Sequence, residues 1–304
     1  MITEKSRQGF NDKLKYTKLK YPQCNCGSDC PLFFFNYLGI GTRASGKTYN
    51  CVKLLKHYET HKNKITDPDG NQYDLRYFLI SPTSSANPIY TSLDSLDEDD
   101  IFDSYSDATL QSIIDSIDAR REETEKYLKY KKAYKMFLKL GEANISKIKN
   151  EDLMLLSRYN FEEPESIFDI RNKNPVISVI ILDDLLGSDA FSKKNASLLK
   201  YFLIRNRHKR VCFMLLSQSM KSIPKDIRLN CNLFFYGQFR NEKMIKDDLY
   251  EEVSKEFSPE EFMELFKHIN KEQYGSLIID ATKDKLKISN GWDRVLYFNE
   301  KLSK

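Results

Sequence analysis

The sequence predicts an α/β fold in which a mainly parallel central sheet is flanked by helices. Three observations point there. Val176–Leu182 (VISVIIL) and Val211–Ser217 (VCFMLLS) are apolar throughout rather than alternating, the pattern of strands buried on both faces. Such runs are separated by stretches whose apolar residues recur at helical spacing, as crossovers between parallel strands require. A glycine-bounded loop with a phosphate-binding pattern lies between a strand and a helix.

In chain order, residues 1–31 read as an N-terminal arm, with Lys5, Arg7, Lys13, Lys15, Lys18 and Lys20 scattered without apolar periodicity. Pro31–Ile40 (PLFFFNYLGI) is an unbroken apolar run and reads as the first buried strand. After the loop, Cys51, Val52, Leu54, Leu55 and Tyr58 recur on one helix face. Tyr77–Ile80 is a second strand, ended by Ser81-Pro82-Thr83. An insertion of about 95–170 is expected to be helical. Leu110, Ile113, Ile114 and Ile117 mark one amphipathic helix there, and Tyr127, Tyr130, Tyr134, Phe137 and Leu138 a second apolar stripe made for packing. Val176–Leu182, Val211–Ser217 and Leu233–Gly237 supply three further strands. Helical segments follow between Glu242 and Ile269, then a strand pair, Ser276–Asp280 and Lys285–Ser289. Residues 32–304 thus read as one domain carrying the insertion and a small C-terminal helix and strand elaboration.

Of 304 residues, 40% are hydrophobic and 30% charged, enough to build a core at this length. No apolar run approaches the ~20 residues that cross a bilayer. The N-terminal MITEKSRQGF lacks the apolar centre of a secretory signal, so neither a span nor export is expected, and the six cysteines are expected to stay reduced. The net charge of +4 permits nucleic-acid binding without demonstrating it. Lys126–Leu140 holds six lysines and no acid, whereas Asp94–Asp103 is acidic. Taken alone, these read as a solvated helix face and a solvated loop.

Gly41-Thr42-Arg43-Ala44-Ser45-Gly46-Lys47-Thr48 fits G-x-x-x-x-G-K-[ST]. Glycines let the backbone N–H groups converge on phosphate oxygens, and the N-terminus of the following helix adds partial positive charge. Lys47 is expected on the β- and γ-phosphates of ATP and the Thr48 hydroxyl on Mg²⁺. Such a loop needs an acidic partner at a neighbouring strand end, and VISVIILDDLLG supplies one. Asp183 is expected to hold Mg²⁺ and Asp184 to orient the attacking water. Gln218, closing the next strand, is the candidate sensor of the γ-phosphate. Arg205 and Arg207, beside His208, Lys209 and Arg210, precede that strand, and Arg228 follows it. Any of these guanidiniums could complete a neighbouring subunit's site, with Arg228 slightly preferred for its shaped surroundings between Pro224 and Asn230; a surface or DNA-facing role stays open for each. Cys24, Cys26 and Cys30 (CNCGSDC), with Cys51 or His57 as a fourth donor, offer a tetrahedral set, but C-x-C-x₃-C lacks the spacing of two-hairpin zinc sites, and a metal-free loop is expected.

The succession of P-loop, ISPT, ILDD and RNRHKRVCFMLLSQSMKSIPKDIRLNCN resembles the DNA-packaging ATPases of poxviruses, other large DNA viruses and virophages, within the FtsK–HerA superfamily. The resemblance covers about residues 32–240, and its most specific part is Arg207-His208 with SQS and IPKDIR after it. It implies a RecA-like P-loop sheet, a ring homo-oligomer of five or six chains, and translocation of double-stranded DNA into a capsid. Partners at the capsid or portal vertex and a place in the virion or at the viral assembly site follow. The family's nucleotide residues fall on Gly41, Gly46, Lys47 and Thr48, its metal and water carboxylates on Asp183 and Asp184, and its sensor on Gln218. Two departures stand out: Ala44 occupies a position where glycine is common, and the insertion is unusually large. Other readings are a plasmid or cellular DNA translocase of the same superfamily, a terminase-like ATPase (though the segment after Asn241 lacks a convincing set of nuclease carboxylates), and a slow nucleotide-gated switch or scaffold. DNA-stimulated turnover separates enzyme from switch, and association with particles separates packaging from other translocation.

Overall fold

The apolar runs become neighbouring strands of one nine-stranded sheet in the computed structural model, which describes residues 21–27, 29–83, 87–169, 171, 173–185, 191, 196–239, 242–254 and 257–297. In chain order the strands are β1 (Gln23–Cys24), β2 (Asn36–Ile40), β3 (Ile65–Thr66), β4 (Asp74–Ile80), β5 (Leu96–Phe102), β6 (Val176–Asp183), β7 (Val211–Ser217), β8 (Leu233–Tyr236), β9 (Leu277–Asp280), β10 (Lys287–Asn290) and β11 (Arg294–Val295). The helices are α1 (Lys47–Thr60), α2 (Asp107–Leu140), α3 (Asn150–Arg158), α4 (Pro164–Ile167), α5 (Ala196–Lys209), α6 (Lys225–Arg228), α7 (Glu242–Met244) and α8 (Pro259–Ile269). The order in the sheet is β11-β10-β9-β8-β2-β7-β6-β4-β5, parallel from β8 to β5 and antiparallel from β8 outward to β11. β2, which leads into the phosphate loop, is central, and β7 separates it from β6, which ends in the paired aspartates. This is the RecA-like arrangement.

Side chains alternate across the pleat, so each buried strand feeds two cores. Leu38, Ile40, Phe78, Ile180, Leu182, Phe213 and Leu215 meet α2, α5 and α8 on one face. Tyr37, Tyr77, Leu79, Val179, Ile181, Met214 and Leu216 meet α1 on the other. Each such burial is worth about 1.5–3 kcal/mol, which is why runs without a polar face settle in the middle of the sheet.

Four expectations change. Only Asn36–Ile40 of the first apolar run is strand: Phe33, Phe34 and Phe35 are buried ahead of it, with Phe34 at φ 66 and its N–H donating to Cys212 Sγ. The acidic segment is not simply a solvated loop, because Leu96–Phe102 forms the edge strand β5, where Asp100 turns inward and takes a two-point ion pair from Arg76 (2.7 and 2.8 Å). The two apolar stripes of the insertion belong to one 34-residue helix, started by a Ser106 side-chain cap and stopped at Gly141 (φ 70). Its first half packs on the sheet. Its second half joins α3 and α4 in a separate core around Tyr130, Ala133, Ile148 and Leu156. Finally, residues 21–27 and 29–31 of the supposed arm pack on the domain, through β1–β3 pairing and the burial of Cys24; residues 1–20 lie outside the described residues. Among the described residues no helix is long and apolar enough to cross a membrane.

Candidate nucleotide site

β2 delivers the chain to Gly41, where a Cβ would lie 2.3 Å from Ser45 Oγ and 3.1 Å from Ser45 Cβ, so a larger residue would force Ser45 to shift. The loop closes through Ser45 N–H to Thr42 O (3.2 Å) and is tied to the end of β7 by Gly41 N–H to Ser217 O (3.2 Å). Gly46 (φ 82) turns it into α1. Ala44 sits at φ 60, a left-handed conformation that disfavours a Cβ by about 1–2 kcal/mol. That is the physical reason for a glycine preference at this position. Arg43 is exposed on the loop. The first turn of α1 holds no acidic residue and takes no side-chain cap, so its N–H groups and dipole are available to an anion.

Lys47 and Thr48 open α1. Lys47 Nζ donates to Gly41 O (2.8 Å) and Thr42 O (3.0 Å). Burial lowers its pKa, while the charges of Asp183 and Asp184 push the other way. Thr48 Oγ1 donates to Asp183 Oδ2 (3.1 Å), and Tyr90 OH donates to the same oxygen (2.7 Å). Burial raises the Asp183 carboxyl above its ordinary value, against those two hydrogen bonds, which favour the charge. Asp184, at φ 53, turns out of β6, and Gln218 Nε2 reaches from the end of β7 to its Oδ1 (3.0 Å). Lys47, Thr48, Asp183, Asp184 and Gln218 therefore gather at the C-terminal ends of β2, β6 and β7.

Tyr90 escapes sequence reasoning. It is 3% exposed in a short 3₁₀ turn, Pro88–Ser92, where Asn87-Pro88 signals a turn but nothing signals a reach to Asp183. Two buried amides escape it too. Asn36 Nδ2 donates to Leu203 O and Asn230 O, and Asn206 Nδ2 donates to Phe34 O and Asn36 Oδ1. Together they pin the base of β2 to α5 and to the segment before β8.

The three candidate arginines are not brought to this site. α5 ends where β7 begins, so Arg205 and Arg207 lie toward the opposite edge of the parallel sheet; both are exposed, over the rings of Tyr201 (3.9 Å) and Tyr21 (5.7 Å) respectively. Arg228 closes α6 near that same edge, since Asn230 bonds the start of β2. Its side chain is only 12% exposed and lies 3.8 Å from Glu251 Oε2, which reverses the preference for it: a group offered to a neighbour should stand in solvent, as Arg205 and Arg207 do. The candidate zinc donors are in part brought together. The sulfurs of Cys24, Cys26 and Cys30 lie within 4.8 Å of one another, and Cys26 Sγ is 3.3 Å from His57 Nε2. Cys51 is instead buried against Met214 Sδ.

No protein-family profile matches the chain, and no curated protein matches it. Among solved structures, the chain is similar to the genome packaging NTPase B204 from Sulfolobus turreted icosahedral virus 2 in complex with AMP, at 13% identity and a TM-score of 0.46 over 84% of this chain and 96% of that one. It is similar to EssC (ATPases 2 and 3) from Geobacillus thermodenitrificans, at 11% identity and a TM-score of 0.42 over 86% and 38%. It is also similar to the cytoplasmic domain of the Thermomonospora curvata Type VII secretion ATPase EccC, at 13% identity and a TM-score of 0.40 over 85% and 25%.

Proposed function

We propose that this chain hydrolyses ATP and uses the energy to drive double-stranded DNA into a preformed capsid. The observation that carries the ATPase reading is the meeting of Thr48 and Asp183, 135 residues apart in sequence, within 3.1 Å beside Lys47, with Asp184 and Gln218 joined next to them. The loop N–H groups and the start of α1 receive the phosphates, and Lys47 exchanges its loop carbonyls for phosphate oxygens. Asp184 accepts a hydrogen bond from the attacking water and orients it. Gln218 fixes the Asp184 carboxylate and so links the base to the end of β7.

Mg²⁺ suits the donor set, because Thr48 and Asp183 offer hard oxygens and the Asp183 carboxylate is buried where its charge is disfavoured without a cation. Bound there with ATP, it would neutralise charge on the phosphoryl oxygens. A further cation for those oxygens is assigned to Arg205 or Arg207 of an adjacent chain in a ring homo-oligomer.

The DNA and capsid part of the reading rests on the sequence resemblance, above all Arg207-His208, SQS and IPKDIR. Capsid or portal vertex proteins are the partners it implies, and the virion or viral assembly site the location. The test is ATP turnover with and without long duplex DNA, in wild type and in Lys47→Ala. Turnover should rise with DNA and vanish in the variant. A rate indifferent to DNA removes the motor reading, and wild-type turnover in Lys47→Ala removes the P-loop assignment.

A further inference from the structure

We propose that Cys24, Cys26, Cys30 and His57 hold a zinc ion that fastens the segment ahead of β2 to the far end of α1. The inference is independent of the nucleotide site. Tetrahedral zinc with sulfur at about 2.3 Å and imidazole nitrogen at about 2.0–2.1 Å spaces neighbouring donors about 3.5–3.8 Å apart. Cys26 Sγ lies 3.4 Å from Cys30 Sγ and 3.3 Å from His57 Nε2, and all three sulfurs fall within 4.8 Å of one another. Cys26 is common to two donor groups, the three sulfurs and the pair of imidazoles, and one ion would draw His57 toward Cys24 and Cys30 from the position it holds beside Cys26.

The six cysteines divide into two kinds. Cys51, Cys212 and Cys231 are dispersed and buried, next to Met214 Sδ, the Phe34 N–H and Ile227 O. These are small apolar residues of the core. The other three are gathered on one loop beside an imidazole, and an odd number of thiols cannot be satisfied by disulfides.

The loop is positioned from two sides. Cys24 pairs with Ile65 across the β1–β3 ribbon, and Asn25 N–H donates to Lys64 O (2.9 Å). Gly27, at φ 84, turns the chain between the second and third thiols. Asp29 is ion-paired to Lys283 and Lys287, which holds the loop from its other side. His57 arrives from α1, and its Nε2 faces Cys26 while His61 Nδ1 lies 2.9 Å from the His57 carbonyl. His57, 3.3 Å from Cys26 through Nε2, is taken as the fourth ligand, and His61, which also offers a ring nitrogen within 4.8 Å of Cys26 and His57, is the alternative imidazole. The departure from two-hairpin spacing has a plain cause: the fourth donor comes from a helix beyond the phosphate loop. Binding converts the thiols to thiolates and releases their protons to solvent.

The 304-residue chain, purified without chelator and dialysed, should carry about one zinc per chain by plasma mass spectrometry. Its Co²⁺-substituted form should show tetrahedral d–d bands and thiolate-to-metal charge transfer of three sulfurs. Cys26→Ser and His57→Ala should lose the metal, whereas Cys51→Ser and His61→Ala should keep it. Where Cys26→Ser fails to fold, the wild-type protein decides. Wild type free of zinc and unable to take up Co²⁺, or lighter by two hydrogens through a Cys26–Cys30 disulfide, overturns the proposal. Full zinc in His57→Ala with loss in His61→Ala overturns the choice of ligand.

Discussion

Burial holds the Asp183 carboxyl above its ordinary pKa even though Tyr90 and Thr48 donate to its charged form. In the pH window between the ordinary and the raised value, the native chain binds more protons than the unfolded one. Stability contributed by this group therefore falls as pH rises through that window. Asp183→Asn removes the buried charge and keeps an acceptor oxygen. It should raise the Tm of the nucleotide-free protein, by about 2–4 °C for each kcal/mol recovered, while weakening Mg²⁺-dependent nucleotide binding. Asp184→Asn should leave binding largely intact and slow turnover strongly. Calorimetry with and without Mg-ATP, alongside turnover, separates the two; identical behaviour would end the division of roles. Tyr90→Phe should raise the Mg²⁺ concentration that turnover requires by about 10–100-fold, as removal of a partner behind a metal ligand does elsewhere. Ala44→Gly runs against the usual cost of glycine, about 0.5–1 kcal/mol. At φ 60 it should be neutral or stabilising, and a clear loss of Tm would mean that the loop does not hold this conformation.

Among the elements, those buried on both sheet faces were legible in the sequence, and those with one wet face were less so. β6, β7 and β8 lie close to where their apolar runs put them, and the phosphate loop sits between strand and helix as its pattern requires. β5 was hidden because its acids face solvent and only Asp100 turns toward Arg76. α2 looked like two helices because its buried stripe changes partner midway, from sheet to α3 and α4, around Arg120, Arg121 and Thr124. The Tyr90–Asp183 and Asn36–Asn206 hydrogen bonds were illegible for another reason: they join residues remote in sequence, with no spacing rule to announce them. Exposure likewise separates the arginines into two kinds with different expected outcomes. Arg228→Ala should lower Tm, since it removes a largely buried cation next to Glu251. Arg205→Ala or Arg207→Ala should spare Tm and cut turnover, by as much as ~10³–10⁵ for a finger of this kind. Mixing the variant that carries the finger defect with Asp184→Asn should restore activity; no recovery with either would leave the site complete within one chain. On α2, Lys131 is engaged by Glu165 and Tyr127, whereas Lys132, Lys135 and Lys139 are exposed on one face. Neutralising those three should flatten the salt dependence of DNA binding by roughly 0.9 in log–log slope for each DNA phosphate left without its lysine.

For the whole molecule, the proposed borrowing of an arginine from a neighbour would make activity a property of the assembly. Specific activity should rise with protein concentration and level off as rings fill. A flat profile would argue for a self-sufficient chain. The sheet order carries a different consequence, for the making of the protein. β2 lies between β7 and β8, with Tyr37 opposite Met214 on one side and Leu233 on the other. At ~5–20 residues per second, a ribosome needs roughly ten to thirty-five seconds after Tyr37 to reach Met214. Throughout that interval PLFFFNYLGI has neither neighbour, and its open edges and apolar side chains are a hazard for association. Chains stopped short of β8 should be recovered as aggregates. The nucleotide site, which joins Thr48 to Asp183 and Asp184 to Gln218, accordingly cannot close until β7 has been made.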